Sequence, residues 1–247
     1  ITALASCRTI NAAITKSSNG TTIYLSEGIH TSTSSFVATI NKNVVFIGGW
    51  SNSFTTQTGQ TILDGQNTRG GIRVNPGITT TLSNIIVQNG NTSLGAGVYN
   101  EGTLTLENTT LQKGYTDQGA GIYNQGNLTL KNVTIANNVT YNDGAGIYQK
   151  SGILDLTNVT ISNNTAKSSG GGIYVYDGSV TINNSTITQN IAADPGALAI
   201  GGGLSNYFNK PVTIRNTIIA GNGADIVPDC RGQITSAGHN LIGYGDG

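Results

Sequence analysis

Twelve carboxylates and two histidines are the side chains of this 247-residue chain that could do acid–base or metal chemistry. The acids are Glu27, Asp64, Glu101, Glu107, Asp117, Asp143, Asp155, Asp177, Asp194, Asp225, Asp229 and Asp246; the histidines are His30 and His239. Glycosidic cleavage needs two carboxyl groups about 5–9.5 Å apart, and calcium needs several oxygens at one point. No two of these acids are adjacent in sequence, so only the fold could gather them. Neither Cys-x-x-Cys nor His-x-x-x-His occurs, which leaves a transition-metal site unsupported. The serines have no base at a recognisable spacing. Sequence therefore assigns no catalytic residue, no metal ligand and no cofactor.

The elements that must position these residues are repeats. GAGVYNEGTLTLENTTLQKG at 95–114 returns in altered form from Gly119, Gly144, Gly170 and Gly201, with a fainter copy from Gly71. Apolar and polar residues alternate inside each copy, as in Leu128-Thr129-Leu130, a period of two that reads as strand. A unit of about 25 residues cannot bury its apolar face alone, whereas stacked units share one core. The reading is all-β: a single parallel β-helix of about 25 residues per coil. Val98, Ile122, Ile147, Ile173 and Leu204 then form one aliphatic column, and Leu106, Leu130, Leu156, Ile182 and Ile214 another.

Stacking also aligns the polar residues. Asn84, Asn108, Asn132, Asn158, Asn184 and Asn216 recur between two strands, and an amide turned inward at each bend would bond the amides above and below. A second column runs through Asn138, Asn164, Asn190 and Asn222, with Gly90 and Gly114 in its place lower down. Tyr99, Tyr123, Tyr148 and Tyr174 are expected to stack facing outward, where their rings could contact glycans. Thr105, Thr129 and Thr181 share a column with Asp155, and Thr110, Thr134, Thr160 and Thr186 form another. Such rows suit an ordinary exposed strand and also an ice-ordering surface. The acids do not converge. Asp117 and Asp143, on neighbouring coils, are the best pair and Asp225 with Asp229 the second; solvated turn acids are the plainer reading. His30 and His239 fall near opposite ends.

The chain reads as one domain, 1–247: an N-terminal cap over 1–20, irregular early coils over 21–94, regular repeats over 95–222 and a tail over 223–247 that leaves register. The cap contains a short amphipathic helix in SCRTINAAITK, which would cover an open sheet edge. Cys7 and Cys230 lie on the order of 40 Å apart if eight or nine coils of ~4.8 Å separate them, too far for a bridge within the chain. Two unpaired thiols are the plainer reading, and a disulfide between molecules, head to tail, is the alternative for which both are candidates.

Net charge is zero and the 12 basic residues are scattered, which argues against a nucleic-acid partner. No apolar run is long enough to span a membrane, and no signal-peptide pattern is present. The chain opens on Ile and contains no Met, as a processed, exported product would. Asn-x-Ser/Thr occurs at Asn19, Asn91, Asn108, Asn127, Asn132, Asn138, Asn158, Asn163, Asn183 and Asn184. Several of these belong to the expected inward ladder, which leaves Asn19, Asn91 and Asn127 as glycosylation candidates.

The repeated G-x-G-[IV]-Y followed by L-T-L-x-N-x-T-I-x-x-N resembles the right-handed parallel β-helices of bacterial surface proteins with a pectin-lyase-like fold. Choice-of-anchor Q proteins are the nearest likeness, and polymorphic outer-membrane proteins a looser one. CRTINAAITKSSNGTTIYLSEGIHT resembles the helix and first coil of many such chains, and PDCRGQITSAGHNLIG resembles the segment after their last repeat. The resemblance implies right-handedness and export to the cell surface. It leaves activity open, because the wider fold includes lyases, hydrolases, adhesins and phage fibres. Pectate-lyase and polygalacturonase sites on this fold gather acids with a basic residue or a histidine, which the columns here do not. The expectation is a non-catalytic structural or adhesive β-solenoid, self-associating or binding extracellular glycans. The alternatives are a polysaccharide lyase or hydrolase, and a carbohydrate-binding module built on the tyrosines.

Overall fold

The structure is a computed structural model, and it describes residues 7–194, 196 and 198–245. Residues 1–6 of the expected cap, and Asp246 among the acids, lie outside the described residues.

Each repeat folds as a short strand, a bent longer strand and a two-residue strand, after which a glycine turn returns the chain to its starting side. In one coil these are Ile122–Asn124, Asn127–Ala136 and Val139–Thr140, and the next coil starts at Ile147. Corresponding strands of successive coils pair in parallel, giving sheets of 16, 8 and 4 strands around one core. The molecule is thus an all-β parallel solenoid with a single short helix, Ile10–Lys16, at the N-terminal end. Thr9 caps that helix by accepting from the Ala12 N–H, and Ile10 and Ile14 are buried beneath it.

Register explains why the aliphatics repeat. Ala38, Ile72, Val98, Ile122, Ile147, Ile173, Leu204 and Cys230 pair in one continuous column. Phe46, Leu82, Leu106, Leu130, Leu156, Ile182 and Ile214 form the second. These side chains are essentially inaccessible, and each such burial contributes about 1.5–3 kcal/mol relative to exposure. The glycines persist for two reasons. Gly119 sits at φ +64°, where an L side chain is strained, and a Cβ at Gly121 would press into the carbonyl oxygen of Gly146 in the next coil.

Both ends of the regular region carry more of the solenoid than the repeats announced. Early strands join the same columns, and the tail stays in register rather than leaving it. Cys230–Arg231 pairs with Leu204–Ser205, Thr235–Ser236 with Thr213–Ile214, and Leu241–Ile242 with Ile218–Ile219. The tail's polar composition hid this further coil, because an end coil has only one neighbour to bury against.

An inward truncation is expected to cost far more than an outward one. Leu130→Ala or Ile147→Ala should lower unfolding stability by about 2–5 kcal/mol, and Thr129→Ala by no more than about 0.5 kcal/mol, both read by guanidinium titration.

Candidate functional site

The amide columns are the most specific polar arrangement in the molecule. At the first bend Asn84, Asn108, Asn132, Asn158, Asn184 and Asn216 all adopt left-handed backbone, φ between 47° and 56°, a conformation that Asn tolerates better than most residues. That conformation turns the side chain outward, so the expected inward ladder is corrected: from Asn108 to Asn216 these amides are exposed. The residue after each bend, such as Thr109, Val133, Val159, Ser185 or Thr217, points inward instead. Vertical amide bonds still form on the outside. Asn108 donates to Asn84 at 3.3 Å, Asn132 to Asn108 at 3.2 Å, Asn158 to Asn132 at 3.1 Å and Asn216 to Asn184 at 2.9 Å.

The buried ladder is the second column. Asn138, Asn164 and Asn190 are fully buried and Asn222 nearly so, each following a residue at positive φ: Asn137, Asn163, Gln189 and Gly221. Oδ1 of Asn164, Asn190 and Asn222 accepts both the backbone N–H and the Nδ2–H of the Asn one coil earlier, and Asn138 Oδ1 accepts from Gly114 N. The side-chain bonds run Asn138 to Asn164 at 2.9 Å, Asn164 to Asn190 at 2.9 Å and Asn190 to Asn222 at 3.0 Å. Donation thus runs one way, towards the C-terminal end, where the last amide needs an acceptor. Asp229 supplies it: Oδ1 accepts from Asn222 N and Nδ2 at 2.8 and 2.9 Å, and Oδ2 accepts from Tyr244 N at 2.8 Å. A third, shorter ladder carries Asn100 to Asn124 at 2.7 Å and Asn124 to Gln149 at 2.8 Å, all three buried. Sequence reasoning missed Asp229's role and this third ladder; the signal was an acid standing beyond the end of an Asn column.

Three further acids are committed to structural bonds. Asp64, buried, accepts from Gln66 N, Gln88 Nε2 and Asn89 Nδ2. Asp225 accepts from Ala199 N, and Asp143 from Ser169 N. Asp117 is exposed and touches Asp143's coil through backbone bonds, so the two carboxylates have separate surroundings. Asp225 and Asp229 likewise hold different backbone donors. His30 bonds the Ser26 carbonyl, and His239 is exposed in the last coil. No group of three His, Cys, Asp or Glu among the described residues could hold a metal ion. A cavity of about 540 Å³ lies between the helix and the first strand; Cys7 and His30 are among the residues that line it, with no carboxylate among the described ones.

The tyrosines stack as expected but are not open to solvent. Tyr123, Tyr148 and Tyr174 are 4–7 % exposed. Their ring centroids are 5.2 Å apart with interplanar angles of 7° and 25°, and Leu94 and Tyr99 pack against them. Their faces are filled by one another, so a sugar ring has only edges to meet. Burial, chiefly, raises the phenol pKa values of Tyr123, Tyr148 and Tyr174.

Cys7 and Cys230 stand at opposite ends of the stack. Cys230 is only 2 % exposed, within the aliphatic column above Leu204, which corrects the view of it as a head-to-tail disulfide former: its thiol is turned into the core. Asn19, Asn91 and Asn127 are exposed. So are Asn108, Asn132, Asn158, Asn163 and Asn184; among the sequons only Asn138 is buried, so the ladder removes fewer of them than expected. The threonine rows are in register, with Asp155 inside one and the Glu107–Lys131 ion pair, 3.3 Å, beside it.

Asp229→Asn should weaken the last coil selectively, because one face of the new amide must present N–H to N–H. A loss of about 1–3 kcal/mol is expected, seen as faster amide exchange beyond residue 218 while the central coils keep theirs. Asp143 offers a pH test. Burial raises its pKa above the ordinary 3.8, against the lowering effect of bonds from Ser168 and Ser169. Between 3.8 and the folded value the native state holds a proton that the unfolded chain releases. Its stabilising contribution is therefore full below 3.8 and is lost as pH rises through the folded value. Asp143→Asn is expected to stabilise the protein at neutral pH and to lose that advantage below 3.8, as thermal melts across pH would record.

Among known proteins, no curated protein and no solved structure matches this chain. One family model does, described as the right handed beta helix region, over residues 7–219. It stops at Ile219, and the structure carries the same column pattern one coil further. With well over half of its length matched and its coils stacked in parallel register, this chain belongs to the right-handed β-helix family.

Proposed function

We propose that this chain is a non-catalytic, exported β-solenoid that serves as a structural or adhesive rod at the cell surface, with a second copy of itself or extracellular glycans as its partners. The observation that carries the reading is the commitment of the buried carboxylates to structure. Asp64 and Asp229 end amide networks with both oxygens occupied by N–H donors. A general acid or base must reach a substrate proton, and a carboxylate saturated by amide donors does not. The alternation of exposed Thr, Asn and paired charges along the flank gives a long, chemically inert face suited to repeated weak contacts.

Among the described residues no helix is long and apolar enough to cross a membrane. Self-association would be non-covalent, given the buried Cys230 thiol, and open-ended contacts between unlike ends give fibres. The helix Ile10–Lys16 covers the N-terminal end, while Leu241 and Tyr244 at the other end are 59 % and 65 % exposed.

The test combines two measurements on the purified chain. Incubation with a panel of neutral and acidic polysaccharides should release neither reducing ends nor unsaturated products. Sedimentation should show reductant-insensitive growth of assemblies with concentration, or, for an adhesive monomer, saturable retention on one of the immobilised polysaccharides. Release of product would replace this reading with the lyase or hydrolase. A monomer retained by none of them would remove the adhesive and fibre roles.

A further inference from the structure

One group near the C-terminal end has chemistry that the scaffold does not use. Arg231 continues the tyrosine column: Tyr174 pairs with Ser205, and Ser205 with Arg231. Arg73 occupies the corresponding place below Tyr99 but is neutralised by Glu101 at 2.9 Å. Arg231 takes part in none of the ion pairs among the described residues. Its Nη1 is buried without a hydrogen-bond partner, and so is Oγ of Ser205 in the coil before it. Orphaned buried donors are uncommon in native proteins and call for a missing partner.

Arg231 also lines a cavity of about 290 Å³, together with Asn206, Tyr207, Asn209, Gly232 and Gln233. Among the described residues that line it Arg231 is charged and none is an acid. The asparagines are occupied in shaping it. Asn206 holds the backbone at Lys210 and Gln233, and Asn209 accepts from Gln233 N. The nearby acid Asp177 is engaged by Lys210 at 2.9 Å. Beside the cavity the guanidinium lies 4.2 Å over the Tyr207 ring, which meets Phe208 at 4.9 Å, and Phe208 meets Tyr176 at 5.1 Å. These three rings are 38–48 % exposed, unlike the buried stack below them.

We infer that this cavity binds a carboxylate carried on a six-membered ring, with the Arg231 guanidinium holding the carboxylate and the Tyr207–Phe208–Tyr176 surface receiving the ring. A guanidinium matches a planar carboxylate through two parallel N–H donors, and an aromatic surface rewards a flat or CH-rich ring face. An acidic sugar and an aromatic acid share this chemistry. The site stands whether or not the rod is adhesive, because it rests on Arg231, which has no ion pair among the described residues, and on the exposed rings beside it.

Calorimetric titration with sodium glucuronate, sodium benzoate and sodium sulfate tests it. Saturable binding of glucuronate identifies the sugar and of benzoate the aromatic acid; either is expected to weaken about tenfold or more in Arg231→Gln. Arg231→Lys, which keeps the charge but not the fork, should lose several-fold. Arg73→Gln at the other end should bind like the parent, and circular dichroism confirms that each variant is folded. The proposal is overturned if neither carboxylate binds below about 10 mM, an affinity weaker than about 3 kcal/mol. It is equally overturned if Arg231→Gln binds as the parent does, or if sulfate binds as tightly as the carboxylates.

Discussion

In a parallel solenoid the strands pair between coils, so a polar group that turns inward must bond either the backbone of its own bend or a partner in the coil above or below. That constraint governs this molecule. Apolar columns need only like volumes in register, and Leu over Leu or Ile over Ile provides them without direction. Amides are directional: Asn138, Asn164 and Asn190 each give an Nδ2–H to the Asn of the next coil. A one-way chain of donors must end on something that only accepts. An ionised carboxylate does so with both oxygens, and Asp229 sits where Asn222 and Tyr244 both present N–H. An unsatisfied amide there would cost on the order of 1–3 kcal/mol in a coil supported from one side only.

The same constraint shapes the chemistry. An acid that closes a network is held rigidly and saturated, the opposite of a poised catalytic carboxylate. Asp64 and Asp229 are the most buried acids and the most fully bonded. At the surface Glu107 pairs across coils with Lys131 directly above it. Arg231 breaks this economy of matched partners, and it does so beside exposed rings rather than in the uniform middle of the stack.

The repeat made much of the fold legible. Period-two alternation located the strands, and alignment of Val98, Ile122, Ile147, Ile173 and Leu204 gave a real column. Which Asn points inward was not legible, because spacing places residues on a bend without giving its backbone angles. Asn132 and Asn138 look alike as letters, yet the first is itself the left-handed residue and the second follows one. The tyrosines were placed on the correct side of the strand but misjudged in exposure, since the turn that packs Leu94 against them carries no periodic mark. Cys230 was read from a tail whose register only pairing with Leu204 reveals. The candidate site was illegible for the same reason: Arg231 is far in sequence from Ser205 and Tyr207 and meets them only through that last coil.

The central claim is that the inward amides form a continuous vertical chain while the bend amides stack in water. Hydrogen exchange of the side-chain NH2 groups, resolved residue by residue by NMR, tests it most directly. Asn138, Asn164 and Asn190 should exchange only through large-scale opening, orders of magnitude more slowly than Asn108, Asn132 and Asn158. Equal rates for the two sets, or faster exchange from the buried one, would contradict the account.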